Sequence, residues 1–333
     1  MPRRSRDIED LDKRLEILQW DKHNGLLDEV AQAGEYIYNE FKQWTPLKLM
    51  GLSYFAGGYA QILGNLKKKH QNLHLVYIDP FSGCGINKID SQDNQDVLIA
   101  GSPLTCIDSV TNREVEFDCM FFNDADPEFS SSLEKRLEFL SDVDPFCWIA
   151  DSYCVYNKDC NDALKDIVHY LNEKGFINYL AFLDPYKWEI SWSMMEELLS
   201  IEYGDIIMTF QARLVAKEIG KYLSQRIPSL GDNIRRFLGE ENENVIEKLG
   251  NEKAVRKYYL EKIKEYRKFV LDIKIKSGKR KPYSYYLVFA SRKKNPRWKR
   301  YIVEMRRLVE SFSGDLVGSS FDYQMGRTQR LLK

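Results

Sequence analysis

The sequence VYIDPFSGCG, residues 76–85, passes from an apolar run through an acidic residue into a loop with two glycines. Such a run is typical of a buried strand, and Gly83 and Gly85 allow positive φ angles and a close approach of a ligand to the backbone. The third glycine of a dinucleotide-binding fingerprint is missing, and the Gly-Lys-Ser/Thr of a P-loop does not follow. By itself, the stretch therefore predicts only a strand-to-helix turn.

Short apolar runs and helical patterns alternate along the chain on the carboxyl-terminal side of this loop. The strand patterns cover residues 75–78, 119–122, 146–149, 179–183 and 205–210. The helical patterns lie near residues 103–111, 127–140, 159–173 and 192–201. Continuous apolar strands that alternate with helices are typical of a parallel sheet covered on both faces. We therefore predict an α/β fold, with a Rossmann-like, doubly wound and mostly parallel sheet.

Changes in the pattern of strands, helices and charges divide the chain into four predicted parts. They are an N-terminal helical extension (1–72), a Rossmann-like core (73–211), a helical insert (212–267), and basic C-terminal strands with a helix that complete the core (268–333). The last part contains two strand patterns, 269–275 and 283–290, around a basic turn. Residues 86–100 predict a polar insertion between the first strand and its helix, where long loops are often functional.

Acidic residues follow four of the predicted strands. They are Asp79, Asp124, Asp151 and Asp184. In an open parallel sheet the ligand lies beyond the carboxyl ends of the strands, so these carboxylates are expected on one rim. A single Asp in such a place is more often a helix N-cap, but four after successive strands, with a glycine loop first, favour a nucleoside site. Asp124 is then placed to accept hydrogen bonds from ribose hydroxyls, and Asp151 with Ser152 to meet an adenine amino group.

The order of these motifs resembles that of class I S-adenosylmethionine-dependent methyltransferases. More narrowly, residues 20–290 resemble the three-Cys-motif partner proteins of bacteria. The motifs of that resemblance are Trp20-Asp21-Lys22-His23, the Asp-x-Phe-Ser-Gly-x-Gly loop 79–85, Gly101-Ser102-Pro103, Phe182-Leu183-Asp184-Pro185-Tyr186 and Tyr285-Tyr286-Leu287-Val288-Phe289-Ala290. Each motif is short, and the specificity of the resemblance comes from their order and spacing.

The resemblance implies S-adenosylmethionine as the cofactor and assigns residues to it. Asp79, Phe81, Gly83 and Gly85 would line the methionine and ribose part, Asp124 or Asp126 would hold the ribose, and Asp151 and Ser152 would face the adenine. The Trp20–His23 motif would form a lid over the cofactor. The alternative for Trp20 and His23 is an ordinary packing role.

Residues 184–186 match the position where amino-methyltransferases carry Asp/Asn-Pro-Pro-Tyr, with one proline missing. The resemblance assigns the catalytic role to Asp184, Pro185 and Tyr186. The Asp184 carboxylate and the Pro185 carbonyl would accept the hydrogens of an exocyclic amine, and Tyr186 would stack on its base. The alternative places Tyr186 in the core beneath the sheet edge.

Charge is distributed unevenly along a chain whose net charge is −1. Residues 253–300 contain 18 Lys or Arg and 3 Asp or Glu. The basic runs there, together with an interleaved tryptophan, predict a nucleic-acid surface. Its residues are Lys279, Arg280, Lys281, Arg292, Lys293, Lys294 and Trp298. The alternatives are a solvated face, or a surface on which the acidic remainder of the chain packs.

Several classes of protein are disfavoured by composition. No apolar run approaches the roughly 20 residues that span a bilayer, and the first residues lack the apolar segment of a secretory signal. We therefore expect a cytoplasmic protein without a membrane partner. The six Cys include no Cys-x-x-Cys pair and the four His are not at ligand spacing from them, so no metal site is predicted.

Two functions of different classes follow from these predictions. The first is a methyltransferase that acts on nucleic acid, DNA or RNA, with the adenine amino nitrogen as leading acceptor. The second is an accessory subunit that keeps the fold with reduced catalysis and works with a partner protein of the three-Cys-motif type. The missing proline after Asp184 favours the second. A methyltransferase that acts on protein or a small molecule is a further alternative.

Overall fold

The computed structural model describes residues 3–89, 96–278, 284–294 and 296–324. The helices of these residues are α1 (Arg3–Leu18), α2 (Leu26–Ala33), α3 (Thr45–Lys67), α4 (Ser102–Thr111), α5 (Pro127–Ser141), α6 (Cys160–Glu173), α7 (Trp192–Ser200), α8 (Ala212–Leu223), α9 (Gly231–Leu238), α10 (Glu243–Ile246), α11 (Glu252–Tyr266), α12 (Lys299–Ser311) and α13 (Gly314–Gln324). The strands are β1 (Asn39–Phe41), β2 (His74–Asp79), β3 (Ile86–Ile89), β4 (Val97–Ala100), β5 (Cys119–Asn123), β6 (Tyr153–Tyr156), β7 (Ile177–Leu183), β8 (Gly204–Phe210), β9 (Phe269–Lys276) and β10 (Ser284–Ser291).

The main sheet has seven strands in the order β6-β5-β2-β7-β8-β10-β9. Strands β6, β5, β2, β7 and β8 pair in parallel, and β10 pairs antiparallel with both β8 and β9. The chain moves from β2 to one side of the sheet and then returns to add β7 on the other side, which places a crevice at the carboxyl end of β2. The sheet is the doubly wound, Rossmann-like sheet of the methyltransferase fold, as the sequence predicted.

The strands are apolar throughout because helices cover both faces of the sheet. Successive side chains of a strand point to opposite faces, and those of β2 divide accordingly between two hydrophobic clusters. Leu75 and Tyr77 pack with the N-terminal helices and α12, while Val76 and Ile78 pack with α6, α7, α8 and α11. The N-terminal and C-terminal helices therefore share one hydrophobic cluster with the sheet.

A second, three-stranded sheet is formed beside the glycine loop. Strand β1 pairs in parallel with β3, and β3 pairs antiparallel with β4, with Ile89 opposite Val97. The sequence predicted a polar insertion over 86–100, but both of its ends are strands. Strand β1 comes from the N-terminal extension, so this small sheet joins that extension to the loop that follows β2.

The predicted strand at 146–149 is wrong. Cys147–Ile149 is a single turn of 3-10 helix, and the strand that pairs with β5 is Tyr153–Tyr156. A four-residue apolar run does not distinguish a strand from a buried turn, and Phe146 and Ile149 are buried in the hydrophobic cluster that also contains the N-terminal helices. The strand itself lies at the edge of the sheet and is only half-buried, so its sequence YCVY lacks a strong apolar signal.

The sequence predicted helices in the N-terminal extension and in the 212–267 insert, and the structure has α1–α3 and α8–α11 there. The division of the chain at residues 72, 211 and 267 stays a prediction. In the described ranges, no helix combines the length and the apolar character needed to cross a membrane.

Candidate functional site

A cavity of about 540 Å³ opens at the carboxyl edge of the main sheet. Its floor is formed by the residues that follow β2, β5, β7 and β8, and its outer wall by β1 and the first turn of α3. Cavities of roughly 300–1,000 Å³ are typical of sites for small molecules and cofactors. The cavity also lies at the crevice that the strand order produces. The sheet topology and the side-chain packing therefore indicate the same ligand site.

The glycine loop forms one wall of the cavity through Phe81, Ser82 and Gly83. Gly83 and Gly85 have φ angles of 57° and 87°, in the left-handed region that favours glycine. A Cβ atom at Gly85 would lie 2.8 Å from the Leu133 side chain. Gly85 does not line the cavity; it turns the chain into β3, and its carbonyl accepts a hydrogen bond from the Gly101 amide at 2.7 Å.

Asp79 is fully buried at the end of β2, directly behind this wall. Its Oδ1 atom accepts a hydrogen bond from the Phe81 amide at 3.3 Å. Burial raises the pKa of Asp79 to about 7, the nearby Asp184 carboxylate also raises it, and a hydrogen bond from Ser102 lowers it. Asp79 therefore titrates near neutral pH, beside residues that line the cavity.

Asp124 joins the end of β5 to the glycine loop. Its Oδ2 atom accepts a hydrogen bond from the Gly83 amide at 3.1 Å, and its Oδ1 atom accepts one from the Asp126 amide at 2.9 Å. Burial raises the pKa of Asp124, while the two amide hydrogen bonds lower it. Asp124 lines the cavity, whereas Asp126 is the N-cap of α5 and accepts from the Glu128 amide.

Asp184, at the end of β7, is held by two side chains that the sequence analysis did not identify. Lys48 of α3 forms an ion pair with its Oδ2 atom, and the Thr209 hydroxyl donates to its Oδ1 atom at 2.5 Å. The Lys48 ammonium also lies 4.9 Å from the centre of the Phe41 ring. All four residues line the cavity. Both oxygens of the predicted catalytic carboxylate are therefore already engaged.

Lys48 and Thr209 differ in the sequence signals that could have revealed them. Thr209 is a hydroxyl residue near the end of the apolar strand pattern 205–210, and a polar residue at that point is a usable signal. Lys48 lies in the N-terminal extension, more than a hundred residues before Asp184, and no local pattern marks it. It reaches the site only because α3 begins beside the carboxyl edge of the sheet.

Pro185 and Tyr186 continue the cavity wall toward solvent. Pro185 is buried, whereas the Tyr186 side chain is 74% exposed. The alternative in which Tyr186 closes the core is therefore wrong. Trp188 is half-buried, and the Lys187 ammonium lies 4.5 Å from its ring centre. An exposed aromatic ring at the mouth of a cavity is available for stacking on a planar ligand.

Asp151 and Ser152 do not lie at this edge. They precede β6 rather than end it, and the Ser152 carbonyl accepts a hydrogen bond from the Met120 amide at the start of β5. Parallel strands begin at the edge opposite to the one where they end, so Asp151 lies away from the cavity. The predicted contact with adenine is wrong for these two residues. The residue that follows β6 is Asn157, whose amide donates to the Asp124 carbonyl at 2.9 Å.

Trp20 and His23 are also away from the cavity. Trp20 is buried and its ring stacks on Phe146 with a centroid distance of 5.2 Å. The His23 Nε2 atom lies 2.8 Å from Asp108 Oδ1 on α4. Neither residue lines the cavity, and the structure does not place them as a lid over it. Their observed contacts correspond to the packing role that the sequence left as the alternative.

Trp298 is part of the hydrophobic core and is not available to stack on a base. Its side chain is 5% exposed, and its ring packs against Phe55 and Phe269. Its Nε1–H donates to Asp205 Oδ2 at 2.9 Å, which satisfies a buried carboxylate. The basic residues around Trp298 suggested a surface position, but it immediately precedes α12, where the chain returns to the core.

The basic runs fall into two groups. Lys279, Arg280 and Lys281 lie outside the described residues. Arg292, Lys293 and Lys294 are exposed and directly follow β10. Because β10 is antiparallel to β8, with Ser291 opposite Asp205, these three residues lie at the edge where β8 begins. The basic run 292–294 therefore lies at the edge of the sheet opposite to the cavity.

The metal-binding residue types do not cluster in the described ranges: no group of three or more His, Cys, Asp or Glu is arranged to hold a metal ion. The six cysteines are free thiols. Burial raises the pKa of the Cys119 and Cys160 thiols to about 11 and about 12, which keeps them protonated at neutral pH. These residues therefore give no geometric indication of a metal or thiolate site.

Comparison with known proteins gives distant structural likenesses. No family model matches the sequence, and no curated protein matches it. A protein of Legionella pneumophila str. Philadelphia 1, LPL1258, of the family model DUF519, shares 13% identity at a TM-score of 0.46, over 78% of this chain and 89% of that one. Trm1 from Pyrococcus horikoshii, in complex with S-adenosyl-L-methionine, shares 11% identity at a TM-score of 0.36, over 73% of this chain and 56% of that one. Membership of the three-Cys-motif partner family stays a prediction.

Proposed function

We propose that this protein is an S-adenosylmethionine-dependent methyltransferase that acts on nucleic acid. The observation that supports this most is the cavity in which Gly83, Asp124, Asp184 and Tyr186 meet at the carboxyl edge of a methyltransferase-like sheet. Three strands supply these residues, and the crevice that they share is where a nucleoside ligand is expected in such a sheet. The resemblance seen in the sequence assigns these same residues to one site.

The residues of the cavity suit a cofactor that combines a ribose with a cationic group. A carboxylate has about four lone-pair sites, so Asp124 can accept ribose hydroxyls while it holds the amides of Gly83 and Asp126. Asp79 is buried close by and favours a positive charge when it is ionised. S-adenosylmethionine would supply an activated methyl group, and Phe81 and the glycine loop would exclude water from it.

The acceptor would lie between Asp184 and Tyr186. Thr209 donates to one oxygen of Asp184 and Lys48 contacts the other, so an amine would use the remaining lone pairs of this carboxylate or displace the lysine. Asp184 and the Pro185 carbonyl would then accept the amine hydrogens, and the exposed Tyr186 ring would stack on the base. A nucleobase with an exocyclic amine fits these groups, and the adenine amino nitrogen remains our leading acceptor.

A second candidate function is a cofactor-binding accessory subunit that works with a partner protein of the three-Cys-motif type. The Lys48–Asp184 ion pair favours it, because the lysine competes with an amine acceptor for this carboxylate. The single proline after Asp184 favours it as well. This candidate predicts cofactor binding with no methyl transfer by the protein alone.

The experiment combines calorimetric titration of S-adenosylmethionine with transfer of a radiolabelled methyl group to mixed DNA and RNA. We expect the wild-type protein to bind the cofactor, and Asp184→Ala to reduce transfer by about a hundredfold or more while it remains folded. Asp142→Ala, a change of the same type at an exposed site, is the matched control and should leave transfer unchanged.

The outcomes separate the two candidate functions. The absence of any cofactor binding by the folded wild-type protein would overturn both. Cofactor binding without transfer, either alone or with a three-Cys-motif partner, would exclude the methyltransferase and support the accessory subunit. Transfer that survives in Asp184→Ala at the wild-type rate would show that the acceptor does not lie at this carboxylate.

A further inference from the structure

The amino edge of the main sheet, opposite the cavity, contains a row of aromatic rings that no function discussed so far uses. His70, Phe176 and Tyr203 lie in the segments that precede β2, β7 and β8, three adjacent strands. The His70 and Phe176 rings are 5.8 Å apart, and the Phe176 and Tyr203 rings are 6.3 Å apart, both edge to face. The three rings are therefore continuous along the edge.

Two of these rings are accessible to a ligand. His70 is exposed and the Tyr203 side chain is 43% exposed, while Phe176 between them is half-buried. A buried aromatic row would be ordinary core packing. Exposed aromatic rings in a row are a platform on which planar groups can stack, and nucleobases stack on such platforms with little dependence on sequence.

Exposed cations flank the aromatic row on both sides. Lys68 and Lys69 directly precede His70, Arg292, Lys293 and Lys294 directly follow β10, and Lys174 lies two residues before the middle ring, Phe176. The Arg292 guanidinium lies 3.3 Å from Glu202, the residue before Tyr203, which shows that the end of β10 lies next to this ring. The Glu202 carboxylate itself is half-exposed and offsets one positive charge of the group.

The spacing of the strands fits an extended polyanion. Neighbouring strands are about 4.8 Å apart, so the three steps from β2 to β10 cover about 14 Å. Cations at both ends of that span, with aromatic rings between them, match a nucleic-acid strand whose phosphates and unstacked bases are contacted together. An acidic protein partner would also bind the cations, but the accessible aromatic rings would add little to its affinity.

We propose that the amino-edge face, formed by this aromatic row and its flanking cations, binds a single-stranded segment of nucleic acid. This extends the proposed function, because it concerns how the same class of substrate is held. The face is separated from the cavity by the length of the strands, and the seven residues of β8 span about 20 Å. The segment held here is therefore a flanking part of the substrate, distant from the methylated base.

The test measures binding of a fluorescent single-stranded oligonucleotide of about 20 nucleotides, as DNA and as RNA, by anisotropy at several salt concentrations. The first variant combines Arg292→Gln, Lys293→Gln and Lys294→Gln. Each phosphate contact contributes about −0.7 to the slope of log affinity against log salt for a single strand, so losing three contacts should make the slope shallower by about 2. We expect affinity at low salt to fall at least tenfold.

A matched control removes the same charge elsewhere. Lys248→Gln, Lys253→Gln and Lys257→Gln change three exposed lysines of the helical insert and should alter affinity less than threefold. Tyr203→Ala should weaken binding about tenfold through lost stacking, and Tyr203→Phe should keep affinity near the wild-type value. The pair of Tyr203 variants tests the ring itself, because neither changes the net charge.

An equal loss in both triple variants, or no loss in Tyr203→Ala, would overturn the proposal. Failure of the wild-type protein to bind either oligonucleotide at low salt would overturn it as well and favour an acidic protein partner. Calorimetric titration of S-adenosylmethionine on the same samples distinguishes this proposal from the proposed function. Oligonucleotide binding through this face without cofactor binding would leave the inference standing and reject the methyltransferase.

Discussion

Asp79 combines full burial with a pKa near neutrality, and this gives the site a titratable group at physiological pH. Burial raises the pKa of Asp79 to about 7, whereas an Asp in the unfolded chain titrates near 4. Its protonated form therefore favours the folded state. This contribution to the free energy of unfolding is present below about pH 4 and is lost as the pH rises through 7.

A cationic ligand in the cavity should instead favour the ionised form of Asp79. We expect the affinity for S-adenosylmethionine to rise as the pH increases from 5.5 to 8, by up to about tenfold per unit below the pKa of Asp79, since the ionised carboxylate attracts the sulfonium. Calorimetry in buffers of different ionisation enthalpy should show that binding releases a proton near pH 6.5.

The matched variant for this prediction is Asp79→Asn, which keeps a hydrogen-bond acceptor for the Phe81 amide but cannot ionise. Its affinity should be lower at pH 8 and nearly independent of pH over the same range. A wild-type affinity that is equal at pH 5.5 and pH 8 would contradict the prediction, as would an unchanged pH profile in Asp79→Asn.

At the scale of the elements, a buried arginine joins the N-terminal extension to the glycine loop. Arg136 of α5 has no exposed surface, and its guanidinium donates to the carbonyls of Val30, at 3.2 Å, and Ile37, at 2.6 Å, and to that of Cys84. The same junction is supported by Asn39, whose Oδ1 atom accepts from the Cys84 amide at 2.9 Å. The two walls of the cavity are thus fixed to each other.

We expect Arg136→Met to lower the free energy of unfolding by on the order of 3 kcal/mol, because it leaves buried carbonyls without donors. It should also weaken cofactor binding, since Cys84 and Ile37 adjoin the cavity walls. Denaturant titration and calorimetry measure the two effects. Lys135→Met is the control: Lys135 pairs with Glu35 at the surface at 2.5 Å, so its loss should cost less than about 1 kcal/mol. Equal stability losses in both variants would contradict this role for Arg136.

The elements that the sequence predicted well are those with one dominant signal. Strands β2, β5, β7 and β8 are continuous apolar runs because both of their faces are buried, and such runs are recognisable without a structure. Strand β6 is half-buried at the sheet edge, so the more apolar run before it, 146–149, has the stronger strand pattern. That one error in the strand assignment placed Asp151 at the carboxyl edge of the sheet, whereas it precedes β6 and lies at the amino edge.

The candidate site was predictable where its residues directly follow strands. Phe81, Gly83, Asp124 and Asp184 line the cavity because the sheet topology brings strand ends together. Lys48 was not predictable, because its place depends on how α3 packs against the sheet, and no local pattern encodes that packing. The burial of Trp298 was not predictable for a related reason. Its hydrogen-bond partner, Asp205, is distant in the sequence.

For the whole molecule, the decisive property is where the charge lies rather than its sum. The sequence showed that residues 253–300 are strongly basic, but the antiparallel course of β10 was needed to place Arg292–Lys294 at the amino edge. Several other cations of the stretch are already used within the protein, such as Arg256, which pairs with Asp272, and Arg267, which is buried and donates to Tyr179. The number of basic residues in 253–300 therefore overstates the basic surface that is available to a ligand.

Because the cavity and the amino-edge face lie at opposite edges, their ligands should respond differently to salt. The cofactor is a small ligand in a partly enclosed cavity, where ions screen charges weakly. Six cations that contact phosphates of a single strand give a slope of about −4 in log affinity against log salt, so raising salt from about 50 to 300 mM should lower the affinity about a thousandfold.

In thermal unfolding at saturating ligand, S-adenosylmethionine should raise the Tm by a few degrees at both salt concentrations. The rise in Tm caused by an oligonucleotide should disappear at the higher salt concentration. If the Tm increases caused by the cofactor and by the oligonucleotide were lost in parallel, the two ligands would share a single site.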